Sequence, residues 1–272
     1  MPVLCAIIVF NPDHERLKEN ILAIKDQVDK LVLYDNGGLD KDILPMGVDI
    51  LGDASNIGMA SAMNSVFEYA QTGGFDRVLT LDQDSVCPPG LIEEYEKGFM
   101  EPDVAMISPC ISDRNYGSMD YDKGQASVPF EEIDACITSG AMLRVDAWKQ
   151  VGGFWDELFI DMVDFDMCWT LKEAGFTVMR ANNVTLLHEI GHSRRVRFMG
   201  KDEVVYNHAP ERCYYMTRNS LAVGRKHKRT SQCVRWLIKR SLLINLFEKQ
   251  RPAKNKMIVK GVADARRFYH GA

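Results

Sequence analysis

Arg77-Val78-Leu79-Thr80-Leu81-Asp82-Gln83-Asp84-Ser85 is the stretch on which the fold turns. Its first five residues read as a strand, and the Asp-Gln-Asp-Ser cluster stops it. The same grammar recurs upstream. Residues 3–10 are a continuous apolar run, a strand buried on both faces, ended by Asn11-Pro12-Asp13. Leu17, Ile21, Ile24 and Val28 then follow at helical spacing, Leu31 to Tyr34 form a second strand closed by Asp35-Asn36-Gly37-Gly38, and Val48 to Leu51 form a short third. Ser61 to Gln71 is helical and leads back to Arg77. Strands alternating with helices predict an α/β fold with a mainly parallel sheet flanked by helices. In such sheets ligands sit beyond the carboxyl ends of the strands, where both Asp35-Asn36 and Asp82-Gln83-Asp84 fall.

Further along, 104–107 and 135–137 read as strands separated by a polar loop from about Asp113 to Pro129. Val145 to Val151 and Asp164 to Ala174 read as helices, 177–179 and 184–187 as β-like, and the chain from Tyr214 onward as helical. The expected division is an α/β domain over 1–210 and a basic helical extension over 211–272.

Composition narrows the function classes. The 272 residues are 46% hydrophobic and 26% charged, which excludes wholesale disorder. Seven cysteines without a C-x-x-C pair form neither a disulfide framework nor a zinc ribbon, so they read as reduced thiols. The N-terminus lacks a basic segment and a cleavage site, so no signal peptide is expected, and no apolar stretch approaches the roughly 20 residues of a membrane span. The expected location is cytoplasmic.

The net charge of −5 conceals a segregation. Residues 211–272 hold 16 Lys and Arg against 3 Asp and Glu, whereas the rest holds 17 against 35. A basic tail on an acidic body points to an anionic partner. From Cys233 to Phe247 apolar and aromatic residues are interrupted by Arg235 and Lys239-Arg240. That pattern suits either a helix packed on the core or an interfacial helix on the inner face of the plasma membrane. No nucleic-acid recognition module is present, and nucleic acid is not an expected partner.

Two acidic clusters could carry chemistry. Asp82-x-Asp84 offers two carboxylates at one strand end, a ligand set that Mg²⁺ commonly shares with substrate phosphates; alternatively, one Asp simply caps a turn. Asp156-Glu157, Asp161, Asp164 and Asp166 crowd with aromatic residues at the mouth of a helix. There they either complement the helix N-terminus or supply a general base whose pKa is raised by its surroundings. A third pattern, His188-Glu189-Ile190-Gly191-His192, matches the zinc-protease signature H-E-x-x-H. The preceding β-prone run and Gly191 argue against the helix that signature needs.

Taken in order, Ile7 to Pro12, Tyr34-Asp35-Asn36-Gly37, Asn56-x-Gly58 with Asn64, and Leu81 to Ser85 resemble the inverting family-two glycosyltransferases of GT-A fold. Ser139-Gly140, Gly153-Phe154-x-Asp156-Glu157, Phe159-Ile160-Asp161-x-Val163-Asp164 and Arg212-x-Tyr214-Tyr215-x-x-Arg218-Asn219 are similar to the bacterial rhamnosyltransferase branch. The likeness spans roughly residues 3–220. It implies that Asp35, Asn36, Asn56, Asn64 and Asp82 meet the nucleotide, and that Asp84 and His188 bind Mg²⁺ or Mn²⁺. Asp164 would be the base that deprotonates the acceptor hydroxyl, and Gly140, Asp161, Arg212, Tyr215 and Arg218 would touch donor or acceptor. Val163 and Thr170 depart from the pattern, where many relatives carry Glu and Arg. The implied reaction is rhamnosyl transfer from dTDP-rhamnose to a cell-surface polysaccharide or lipid-linked saccharide. A UDP-hexose or UDP-galactofuranose donor is the alternative, and a zinc metalloprotease the alternative outside the class.

Overall fold

The strand at Val3–Val9 (β1) is buried at every position, as a central parallel strand covered on both faces must be. The computed structural model describes residues 1–45, 47–114, 117–118, 128–189 and 193–268. Two compact units divide them: residues 1–156 with 167–189, and residues 157–166 with 190–272. The second unit takes in the acidic segment ahead of Asp166.

In the first unit, α1 (His14–Ile24) follows β1 and is capped by Asp13, whose carboxylate accepts from the amides of Glu15 and Arg16. Then come β2 (Lys30–Asp35), β3 (Asp49–Leu51), α2 (Met59–Thr72), β4 (Arg77–Asp82), α3 (Leu91–Gly98) and β5 (Val104–Asp113). β6 (Gly117–Ser118), β7 (Phe130–Glu132), β8 (Met142–Arg144), α4 (Val145–Val151), α5 (Val163–Glu173) and β9 (Thr177–His188) complete it, the unit boundary falling within α5. The sheet order is β3-β2-β1-β4-β8-β5-β9-β7, with β6 paired to β5. β3, β2, β1 and β4 run parallel, β8 is antiparallel to both β4 and β5, and β5 and β9 are parallel. This is the mainly parallel mixed sheet of the GT-A fold.

Strand order reverses at β1, between β2 on one side and β4 on the other. Val9 pairs with Asp35 and Ile8 with Asp82, so two carboxylates flank the end of β1 at the sheet's switch point.

Two expectations need correction. Ala135-Cys136-Ile137 is loop, not strand; the ladder position between β4 and β5 belongs to β8. Just after this loop segment, Thr138 O accepts from the Thr80 hydroxyl at 2.6 Å and Gly140 N donates to the Thr80 carbonyl at 2.8 Å. The two β-like segments at 177–179 and 184–187 are one strand, β9, with an irregular register opposite Pro109 and Cys110. The expected loop after Asp113 falls largely outside the described residues.

The second unit holds an antiparallel hairpin, β10 (Arg194–Phe198) and β11 (Lys201–Val205), and three helices, α6 (Pro210–Lys226), α7 (Thr230–Phe247) and α8 (Arg251–Phe268). Cys213, Met216 and Ile244 are buried together with Met257 and Ile258 against them. Gly261 lets α8 approach α6 closely, since a Cβ there would sit 2.8 Å from Tyr214 O and 2.9 Å from Thr217 Cβ. Glu248 is buried and binds Arg240 at 2.6 Å and Lys254 at 2.7 Å, also buried. All seven cysteines are free thiols.

Candidate functional site

β4 delivers Asp82 to the switch point, and the loop after it is held against the end of β9. Val86 N donates to Leu187 O at 2.7 Å and Leu187 N to Val86 O at 3.1 Å. This double bond between loop and strand brings His188 beside the two carboxylates. His188 Nδ1 lies 3.3 Å from Asp84 Oδ1 and His188 Nε2 lies 3.9 Å from Asp82 Oδ2. One ligand atom from each of Asp82, Asp84 and His188 falls within 4.8 Å of the others.

Side chains without a role in the sequence reading build the support. Ser139 Oγ accepts from Asp82 N at 3.0 Å and lies 2.7 Å from Ser85 Oγ, which is 3.0 Å from His188 Nδ1. Asn20 on α1 donates to Asp82 O at 2.7 Å. Gln83 joins the ends of β4 and β1, accepting from Phe10 N at 2.9 Å and donating to Phe10 O at 3.2 Å. Asp113 pairs in register with His188 across β5 and β9 and is buried.

The electrostatics suit a cation. Burial alone would lower the His188 pKa, but its contact with Asp84 and the charges of Asp82, Asp84 and Asp113 outweigh that, and the imidazole is raised above its ordinary value. Asp84 Oδ1 is buried, with His188 Nδ1 beside it at 3.3 Å. A buried carboxylate oxygen is costly unless a positive group meets it. Two carboxylates and an imidazole whose ligand atoms lie within 4.8 Å of one another fit a divalent ion that would share its remaining positions with substrate phosphate.

The residues expected to meet a nucleotide divide into two kinds. Asp35 closes β2 beside Val9 and accepts from Gly37 N at 3.0 Å, Asn36 Oδ1 accepts from Ile57 N at 2.9 Å, and both residues are buried. Asn56 turns on itself, accepting from Gly58 N at 3.1 Å. Asn64 is different. Its Nδ2 donates to Phe154 O and Asp156 Oδ1, both at 2.8 Å, and its Oδ1 accepts from Trp148 Nε1 at 3.0 Å and Phe154 N at 2.8 Å. With both donors and both lone pairs in use, Asn64 anchors the Gly153-Phe154 loop and has nothing left for a nucleotide. Gly140 has φ of +78°, and a Cβ there would sit 2.9 Å from Leu186 Cδ2 and from Pro109 Cγ, so the position requires glycine.

In the second unit, Asp164 stands in the first turn of α5, with Oδ1 accepting from Phe165 N at 2.9 Å. Ahead of it Phe159, Asp161 and Met162 all have φ near +65°. Left-handed non-glycine residues in such a run need outside support. Asn219 supplies it, its Nδ2 lying 2.8 Å from Leu158 O, 2.7 Å from Ile160 O and 3.0 Å from Asp161 O. Arg218 donates to Glu157 O at 2.6 Å, and its guanidinium lies over Tyr215, which stacks on Phe159 at 5.1 Å. Arg212 holds the Asp161 carboxylate at 3.1 Å. Asp166 receives Lys226 and His227, each at 2.8 Å. Arg212, Tyr215 and Arg218, which the resemblance implies at the substrate, contact the segment ahead of Asp164.

The zinc-protease pattern does not take the geometry it needs. His188 ends strand β9 rather than lying on a helix, and its Nδ1 side faces Ser85 and Asp84. His192 lies outside the described residues.

Comparison with known proteins accords with this geometry. The chain is 27% identical over 244 residues to the dTDP-rhamnosyl transferase RfbF of Shigella flexneri, covering 83% of this chain and 80% of that one. It is 28% identical over 141 residues to a pre-mycofactocin glycosyltransferase of Mycobacterium tuberculosis, 47% of this chain and 29% of that protein. Among solved structures, residues 1–349 of S. aureus TarS superpose with a TM-score of 0.60 at 12% identity, over 97% of this chain and 80% of that one. GalNAc-T7 with UDP, GalNAc and Mn²⁺ superposes with a TM-score of 0.58 at 9% identity, over 90% and 57%. The family model for glycosyl transferase family group 2 matches residues 77–239, which begin at β4 and take in Asp82, Asp84, Asp164 and His188. The chain belongs to that family.

Proposed function

We propose that this glycosyltransferase moves L-rhamnose from dTDP-rhamnose to a saccharide or lipid-linked saccharide acceptor, inverting the anomeric centre. The observation that carries the reading is the Asp82–Asp84–His188 trio at the switch point of the sheet, one ligand atom from each lying within 4.8 Å of the others. The similarity to the Shigella enzyme supports the choice of donor. Asp35 and Asn36 hold the base and ribose, and Asp82 lies against the ribose or the metal. Asp84 and His188 would hold Mg²⁺ or Mn²⁺. When bound, that ion offsets the charge that builds on the diphosphate as it leaves. Asp164 accepts the proton of the acceptor hydroxyl as the oxygen attacks from the face opposite the leaving group, the single displacement that inverts configuration.

A thermal-shift screen of dTDP-rhamnose, UDP-glucose and UDP-galactofuranose, with Mn²⁺ and with EDTA, tests the donor, because ligand affinity appears directly as stabilisation. Stabilisation by dTDP-rhamnose that disappears with EDTA is expected; selective stabilisation by a UDP-sugar would replace the donor. Asp164→Asn is expected to lower transfer roughly 10²–10⁴-fold with donor binding retained. Wild-type turnover in that variant removes Asp164 from the mechanism.

A further inference from the structure

Helix α7 is apolar on two sides. One face buries Cys233, Leu237, Leu243 and Ile244 in the second unit. Another exposes Ile238, Leu242 and Leu246, four residues apart, at 57%, 49% and 51%, with Trp236 at 43%. A helix on the surface of a water-soluble domain carries polar residues there, and a contiguous apolar row marks a contact surface. Arg235, Lys239 and Lys249 are exposed alongside the row.

The β10–β11 hairpin extends this surface. Arg194 donates to Phe247 O at 2.6 Å, Phe198 packs edge-on against Phe247, and Lys239 pairs with Glu203 at 2.6 Å, so the hairpin lies fastened along α7. Its turn presents Met199, the most exposed large apolar residue described, between exposed Arg197 and Lys201. Residues 193–268 contain twenty Lys and Arg against five Asp and Glu. Of those five, Glu248 is buried against Arg240 and Lys254, and Glu203 is paired with Lys239.

We propose that the outer row of α7 and the tip of the hairpin seat on an anionic lipid bilayer surface. Charge complementarity selects the occupant. Phosphate headgroups meet Arg197, Lys201, Arg235 and Lys249, at about 1 kcal/mol for each basic residue near the surface, while the aliphatic row enters the acyl boundary. A nucleic acid would use the charges and leave the row in water. Attachment is interfacial, since no described helix is long and apolar enough to cross a membrane. The surface does not depend on the transfer chemistry.

The test is co-sedimentation of the whole chain with vesicles of phosphatidylcholine alone and of phosphatidylcholine mixed with phosphatidylglycerol. Binding is expected to the mixed vesicles only and should weaken as salt is raised. Ile238→Glu with Leu242→Glu, and separately Met199→Glu with Arg197→Glu, should each reduce it about tenfold or more. Thermal midpoint and Mn²⁺-dependent dTDP binding should remain unchanged in both variants, so failure here is distinguishable from failure of the donor assignment. Vesicle binding equal to wild type in both variants overturns the proposal. So does equal binding to the two vesicle types, or a dimer in solution that Leu242→Glu dissolves, which would assign the row to a second copy.

Discussion

Ser139 shows how much of the site rests on single small side chains. Its hydroxyl is the acceptor for Asp82 N and the neighbour of Ser85, which in turn orients His188. Ser139→Ala would remove the hydroxyl that Asp82 N donates to and loosen the Ser85–His188 contact, a cost of about 1–3 kcal/mol. Calorimetric titration with dTDP and Mn²⁺ should therefore show affinity reduced about tenfold, and unchanged affinity would remove Ser139 from the support. The two aspartates were legible in the sequence because of the ordered motifs around them; a D-x-D at a strand end alone reads equally well as a turn cap. Asn20, Asp113 and the role of Ser139 were not, since each reaches the site through tertiary packing with no local signal. Asn64 illustrates the reverse. The resemblance implies a nucleotide contact there, but only the fold reveals that Trp148, Phe154 and Asp156 already use its amide completely.

Among the elements, the segment before α5 is the most demanding. Three left-handed residues cost of order 1 kcal/mol or more each, and Asn219 is the group that bonds the carbonyls of Leu158, Ile160 and Asp161. Asn219→Ala should lower stability by about 2–4 kcal/mol. It should also reduce kcat while leaving Mn²⁺-dependent donor affinity near wild type, because Asp164 loses its placement and the trio does not. A thermal melt beside steady-state kinetics checks both; an intact kcat would reduce Asn219 to a stabilising role. The first four sheet strands could be read directly from their apolar runs and turn clusters. β9 could not be read whole, because polar Asn182-Asn183 interrupts its pattern where the register shifts opposite β5. α3 begins after Gly90 with no side-chain cap, and the β10–β11 hairpin is mostly charged, so neither announced itself.

Over the whole molecule, the segregated charge was evident in composition, but its consequences for titration needed the fold. Burial, followed by the nearby charges of Arg212, Arg240 and Lys254, lowers the His208 pKa to about 3 from an ordinary 6.5. His208 is therefore neutral when folded and charged in the unfolded chain below that ordinary value. Its contribution is complete above pH 6.5 and declines as pH falls toward 3, at about 1.4 kcal/mol per pH unit. His208→Gln should be less sensitive than wild type between pH 6.5 and 5 in urea titrations, and parallel pH profiles would refute the linkage. Glu248 has a wider consequence. It is the shared counter-ion for Arg240, which comes before it on α7, and for Lys254, which follows on α8. A shortened chain ending at residue 247 would strand a guanidinium in the interior with no opposite charge, so trimming the C-terminus to improve crystals or solubility should stop well short of that glutamate.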